Sequence, residues 1–347
     1  MRAAIFNGPR DVTFGELPDP AITDPTDALV RVTLACVCGS DLWYYRGAAP
    51  HEPGAIGHEF IGIVEAVGSA VTTLAEGDFV IAPFLYSDGT CEMCLAGWPA
   101  HCLNGGGWGN ATGGGQGERV RVPLADGTLV KVPGSGHSEG VLRSLLALSD
   151  VMCTGWHAAV SGGVRQGSTV AVVGDGAVGL SAVLASKRLG ASRIISLSRN
   201  PARQAIAREF GATDVIAERG DAAVEAVRAM TRGLGVEAAL ECVGTGESLS
   251  TAFRIARSGG MVGAVGVPQH DSVVPVQTVI FRNVGLRGGV APARKYIPEL
   301  LPDVLSGAIN PGLVFDHETD LEHIAEAYAA MDERRATKSL VRLEARA

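Results

Sequence analysis

Between residues 170 and 189 the chain reads as a strand, a glycine-punctuated turn and a helix in immediate succession. Val170-Ala171-Val172-Val173 runs straight into Gly174-Asp175-Gly176-Ala177-Val178-Gly179, and a helical pattern continues to Leu189. A lone Gly-x-Gly-x-x-Gly is weak, but with strand before and helix after it constrains the fold strongly. Gly174 permits the tight turn, Gly176 lets a backbone approach a pyrophosphate, and Gly179 allows helix and strand to pack closely. The start of the helix, Val178 included, then offers N–H groups and a positive dipole end to phosphates. The same alternation continues downstream, with strands expected at 169–174, 193–198, 237–242 and 260–266. Asn200 as N-cap, Pro201 at the first helical position and Gly211 beyond the end predict a helix over 201–210. Asp221 is expected to open a second one over 222–231, before Gly233. Strands alternating with helices of this length mean an α/β fold with a doubly wound parallel sheet.

The first 150 residues follow another grammar. Short apolar or alternating runs at 29–35, 60–67 and 78–82 are bounded by Gly, Asp or Pro and read as strands. Residues 105–117 hold eight glycines in thirteen and read as a loop. The tail returns to mixed structure, with a helix expected from Asp320 to about Arg335. At roughly 150 residues per domain, 347 residues suggest two domains. A net charge of −8 argues against a nucleic-acid surface or a polybasic membrane face. No apolar run approaches the roughly 18 residues needed to span a bilayer. Asn7-Gly8-Pro9 interrupts the N-terminus before a signal-peptide core develops, and seven cysteines is an odd count without a disulfide framework. A reduced, cytoplasmic protein with thiols available to metal is the expectation.

An acid at the end of the second Rossmann-type strand would hydrogen-bond a ribose 2′-hydroxyl and mark NAD(H). Here that strand ends Ser198-Arg199-Asn200, with Arg203 one turn on. Guanidinium forks suit a 2′-phosphate, so NADP(H) is favoured over NAD(H). Glu218 near this pocket argues mildly the other way. For chemistry, Cys38-Gly39-Ser40-Asp41 and Gly57-His58-Glu59 lie in the β-rich part, and Asp150 stands where the two grammars meet. One thiolate, one imidazole and one carboxylate make an acceptable trio for a catalytic zinc with an open fourth position. Each alone would be bland, since a single buried Cys or His is more often packing than ligand.

In their motif contexts these residues resemble the zinc-dependent medium-chain dehydrogenase/reductase family, the alcohol dehydrogenases. The likeness spans essentially the whole chain, with the Cys-Gly-Ser-Asp, Gly-His-Glu, Gly-x-Gly-x-x-Gly and Gly288-Gly289 segments in register. Asp150 as third ligand together with Ser198-Arg199 is similar to bacterial NADP-linked secondary alcohol dehydrogenases. The resemblance implies a GroES-like catalytic domain over 1–151, a Rossmann domain over 152–288 and a return to the catalytic domain over 289–347. It places the active site in the cleft between the domains. Carried over, Cys38, His58 and Asp150 are zinc ligands, Glu59 is a partner able to visit the metal, and Asp41 orients His58. Ser40 takes the alcohol proton. Trp43 stands where many members carry a relay histidine, which leaves His51 or water for the onward proton. A second cluster, Asp88-x2-Cys91-x2-Cys94-x7-Cys102, has the spacing of the family's structural-zinc lobe with Asp88 in place of the first cysteine.

The implied reaction is reversible hydride transfer between NADP(H) and a small alcohol/carbonyl pair. The implied assembly is a homodimer or homotetramer, with the strand near 284–288 as the pairing edge. Trp43, Phe84 and Trp108 are candidates to line the substrate pocket or, equally, packing residues. Cys36, Cys153 and Cys242 read as core, His157 as structural, and His101 as a weaker competitor of Cys102. Three other readings stand beside this one: a zinc polyol, sugar or amino-alcohol dehydrogenase using NAD(H), a zinc-free enone or quinone reductase, and a nucleotide-binding redox or metal sensor. Retained metal ligands oppose the second, and an intact Ser40 and Glu59 oppose the third.

Overall fold

The computed structural model describes residues 1–269 and 272–343. In chain order the strands are β1 (Arg2–Gly8), β2 (Asp11–Glu16), β3 (Ala28–Cys36), β4 (Gly54–Ala55), β5 (Phe60–Val67), β6 (Phe79–Ala82), β7 (Arg119–Val122) and β8 (Val130–Lys131). They continue as β9 (Thr169–Val173), β10 (Arg193–Leu197), β11 (Asp214–Ile216), β12 (Val236–Glu241), β13 (Ala256–Ala264) and β14 (Gly285–Gly288). Last come β15 (His317–Asp320) and β16 (Ser339–Arg342). The chain divides into two compact units, Met1–Asp150 with Pro292–Ala347, and Val151–Ala291; the breaks expected from sequence fall after 151 and 288.

In the first unit β3 alternates buried and half-exposed positions along its length, the period-two signature of a strand with one face on a core. It pairs antiparallel with both β5 and β16, at the centre of the order β15-β16-β3-β5-β6-β8. Val30, Val32, Phe60, Val64, Val80, Val120 and Tyr328 pack in one buried cluster. Each such side chain contributes about 1.5–3 kcal/mol of hydrophobic stabilisation. The register sets Cys36 opposite Leu340 and Ala35 opposite Phe60. Antiparallel pairing therefore brings three chain ends to one place: the exit of β3, the entry of β5 and the entry of β16.

In the second unit six strands run parallel in the order β11-β10-β9-β12-β13-β14. By sequence this is 3-2-1-4-5-6, the Rossmann order, with its reversal at β9 and β12. Val170, Ala171 and Val172 are fully buried, as strands covered on both faces require. Gly174 adopts φ +119°, open to glycine alone at little cost. A Cβ on Gly179 would sit 2.1 Å from the Gly174 carbonyl oxygen, so only glycine fits where the helix Ala177–Arg188 leaves the strand.

Two helix starts differ from expectation. The helix read as 222–231 spans Gly220–Met230, with Arg219 rather than Asp221 in the capping place. Gly220 at φ +56° turns the chain early, and Asp221 becomes a first-turn charge paired with Arg254. Asp320 does accept from the His323 N–H, but it caps a short 3₁₀ turn; the α-helix is Ile324–Asp332.

Candidate zinc-type active site and nucleotide turn

Cys38 follows β3 by two residues, His58 and Glu59 immediately precede β5, and Asp150 follows the helix Glu139–Leu148. The Phe84 N–H donates to the Ser149 carbonyl at 3.1 Å, tying the end of that helix to the exit of β6. Donor atoms of Cys38, His58, Glu59 and Asp150 all lie within 4.8 Å of one another. Asp150 Oδ2 is 3.7 Å from Cys38 Sγ and 3.5 Å from His58 Nε2. Ser40 Oγ stands 3.4 Å from the same His58 nitrogen.

A chain of buried polar groups supports this cluster. Asp41 Oδ1 is 3.1 Å from His58 Nδ1, which turns Nε2 toward the other donors. Asp41 Oδ2 accepts from the Cys38 N–H at 2.9 Å and from Gln116 Nε2 at 3.3 Å. Tyr328 OH donates to Gln116 Oε1 at 2.9 Å. Burial opposes a charge on His58, yet the Asp41 carboxylate and the Cys38 sulfur outweigh it and hold its pKa well above the ordinary value. Burial likewise pushes the Cys38 thiol up.

Lys338 enters just before β16. Its Nζ donates to Glu59 Oε1 at 2.6 Å and to the Val37 carbonyl at 3.2 Å, and both side chains are at most 1% exposed. Glu59 Oε2 is buried with no hydrogen-bond partner among the described residues. Such an orphan oxygen, beside a thiol, an imidazole and a second carboxylate, is what a divalent cation satisfies. These donors fit zinc.

At the second cluster, donors of Asp88, Cys91, Cys94 and Cys102 also lie within 4.8 Å of one another. Cys91 Sγ and Cys102 Sγ are 3.7 Å apart and unbridged. Two thiolates on one tetrahedral zinc, each at about 2.3 Å, stand about 3.8 Å apart. Asp88 Oδ1 accepts from the N–H groups of Thr90 and Cys91, and Oδ2 accepts from Asn104 at 2.7 Å. Partial burial raises its pKa, but these donors prevail and hold it well below the usual carboxylate range.

Of the remaining residues singled out, Trp108 donates to the Pro83 carbonyl and packs edge-on against Phe60, half-buried at the margin of the core. His51 lies between Phe6 and Tyr44, with Nδ1 2.7 Å from the Glu52 carbonyl. Cys36 and Cys153 are buried, whereas Cys242 is half-buried. Sequence reasoning missed Lys338, Gln116 and Tyr328.

In the second unit Gly176 caps the helix without a side-chain partner, and a Cβ there would meet nothing within 4 Å. Gly176 thus opens the helix start onto free space, as an anion cradle requires. Asn200 Oδ1 caps the next helix by accepting from the Ala202 and Arg203 N–H groups. Ser198, Arg199 and Arg203 gather at the end of β10 as expected. The structure adds an acid from inside the glycine turn, which the strand-end pattern does not announce. Asp175 accepts from Ser198 Oγ at 2.9 Å and from the Arg199 N–H at 3.3 Å, and pairs with Arg203 Nη1 at 3.3 Å.

Known proteins carry the same architecture. The alcohol dehydrogenase GroES-like domain matches residues 24–134, and the zinc-binding dehydrogenase family matches 177–306. An alcohol dehydrogenase of Cupriavidus necator is 32% identical, over 94% of each chain. The structure of the alcohol dehydrogenase TADH from Thermus sp. ATN1 is 36% identical, with a TM-score of 0.90 over 99% of this chain and all of the other. A zinc-dependent alcohol dehydrogenase from Streptococcus pneumonia is 30% identical, with a TM-score of 0.91 over 100% and 99%. The chain belongs to the zinc-dependent medium-chain alcohol dehydrogenase family. It is an oxidoreductase acting on CH–OH donors with zinc and a nicotinamide cofactor.

Proposed function

We propose that this chain interconverts small alcohols with their aldehydes or ketones, with a nicotinamide nucleotide as hydride carrier, at a zinc held by Cys38, His58 and Asp150. The observation that carries this reading is the convergence of those three with Glu59 within 4.8 Å, with Ser40 Oγ at 3.4 Å from His58. Zinc supplies Lewis acidity to the substrate oxygen and the nicotinamide supplies or accepts the hydride. The chain does the rest. The Asp41 carboxylate, 3.1 Å from Nδ1, orients the His58 ring through its charge, and Gln116 with Tyr328 holds Asp41 in place. Ser40 holds the alcohol proton at its hydroxyl. Lys338 ties Glu59 through one oxygen and leaves the other for the metal.

Asp88, Cys91, Cys94 and Cys102 hold a second, structural zinc. Ser198, Arg199 and Arg203 favour a 2′-phosphate, and Asp175 among them favours the NAD(H) of a polyol, sugar or amino-alcohol dehydrogenase, the second reading. Seven unbridged thiols support a reducing, cytoplasmic setting, and no helix among the described residues is long and apolar enough to cross a membrane. The family likeness supports a homodimer or homotetramer. Asp150→Asn tests the site: it should lower zinc content by about one per chain and abolish carbonyl reduction. Retention of both would remove Asp150 from the ligand set.

A further inference from the structure

The adenosine end of the nucleotide pocket contains a charge that its sequence position does not announce. Asp175 is the second residue of the Gly174–Gly179 turn, yet its side chain reaches across to the end of β10. There it accepts the Ser198 hydroxyl at 2.9 Å and the Arg199 N–H at 3.3 Å. Its other oxygen pairs with Arg203 Nη1 at 3.3 Å, the two side chains being 20% and 14% exposed. Both side chains that would grip a 2′-phosphate, Ser198 and Arg203, are therefore already engaged by a carboxylate. An ionised carboxylate offers about four acceptor positions and no donor. Three are used, which leaves one for a ribose hydroxyl. It has nothing to give a phosphate but repulsion, at partial burial where screening is weak.

We propose that Asp175 is the residue that sets nucleotide discrimination in this chain: it stands in for the missing strand-end acid, favouring an unphosphorylated ribose and holding Arg203 away from a 2′-phosphate. The proposal rests on the reading of Gly174–Gly179 as a nucleotide turn. Arg199 is exposed and meets Asp175 through its backbone, so it contributes cationic character without undoing this pairing.

The test is calorimetric titration of the full chain with 5′-AMP and with 2′,5′-ADP, so that no turnover is involved. Asp175→Asn keeps the shape and removes the charge. Its dissociation constant for 2′,5′-ADP should fall at least about tenfold relative to that for 5′-AMP. Adding Arg203→Met to Asp175→Asn should cancel that gain, because the released guanidinium is what the phosphate takes up. Asp175→Ser, which loses the charge and shortens the side chain, should shift the ratio in the same direction and serves if the Asn variant folds poorly. A ratio unchanged within about threefold in the folded variant would overturn the role of Asp175 while leaving the nucleotide turn intact. Failure of the unaltered chain to bind 5′-AMP would overturn the nucleotide reading, and this proposal with it.

Discussion

The pair Glu59–Lys338 shows what single residues carry in this molecule. Two opposite charges at 2.6 Å, both essentially unexposed, are costly to bury and costlier to break. Burial disfavours the ammonium of Lys338, but Cys36, Glu59 and Cys38 outweigh it and keep its pKa well above the ordinary value. Lys338→Met should therefore destabilise the metal-free chain by about 3–5 kcal/mol in denaturant melts, the cost of an uncompensated buried carboxylate. The double variant Lys338→Met/Glu59→Gln should recover more than half of that. Equal loss in single and double would show that Lys338 acts through packing alone. Asp88 makes the second residue-scale prediction. Asp88→Ala should lower zinc from about two per chain to about one, measured by elemental analysis. About one per chain in both proteins would remove the structural site.

The motif residues were legible in the sequence because their partners lie close along the chain. Cys38, Ser40 and Asp41 fall within four residues, and His58 with Glu59 is a dipeptide. Lys338, Gln116 and Tyr328 reach the same site from distant segments. Each looks ordinary locally: a lysine before an apolar run, a glutamine in a glycine-rich loop, a tyrosine on a helix. The pairing of β3 with β5 and β16 brings in Lys338, while bonds of Gln116 to the Ile56 and Cys36 carbonyls bring in Gln116 and, through it, Tyr328. Asp175 was hidden differently, since a variable position inside a glycine motif carries no expectation about where its side chain turns.

At the scale of elements, the turn between β9 and its helix is tightly constrained backbone. Gly179→Ala would press a methyl group to within 2.1 Å of the Gly174 carbonyl oxygen. Relief requires the turn to shift. The expected cost is about 1–3 kcal/mol of stability, with at least about tenfold weaker 5′-AMP binding in the same titration. Normal binding would show that the turn does not cradle the nucleotide. A contact between elements gives a pH prediction. Asp332, at the end of the helix Ile324–Asp332, bonds both Arg10 and Arg46, the latter at 2.6 Å. Burial raises its pKa, but the two guanidinium groups prevail and hold it below the ordinary value. Its contribution is therefore present above the unfolded pKa of about 3.9 and lost as pH falls through the folded pKa. Asp332→Asn should cost about 1 kcal/mol at pH 7 and less near pH 2, below the unfolded pKa. An equal deficit at both pH values would mean that the charge is not what matters.

The positions of β9, β10, β12 and β13 followed from apolar runs and glycine punctuation, since strands covered on both faces leave an unbroken hydrophobic signature; the three-residue edge strand β11 is too short to leave one. Helix starts were read less well. Asp221 has the composition of a cap, but the left-handed Gly220 before it moved the start by two residues.

For the whole molecule, a GroES-like β unit holds the metal-type donors and a Rossmann unit holds the nucleotide turn. The division of labour is chemical. One unit offers soft and anionic donors around a hydroxyl, the other offers N–H groups and arginines. Hydride transfer that depends on metal is the activity these two together support. The most direct measurement is consumption of NADPH and of NADH, side by side, on aldehydes, ketones and enones, before and after chelation. Reduction of aldehydes or ketones should fall to background on chelation and return with added zinc. Reduction confined to enones and indifferent to chelation would contradict metal-dependent hydride transfer.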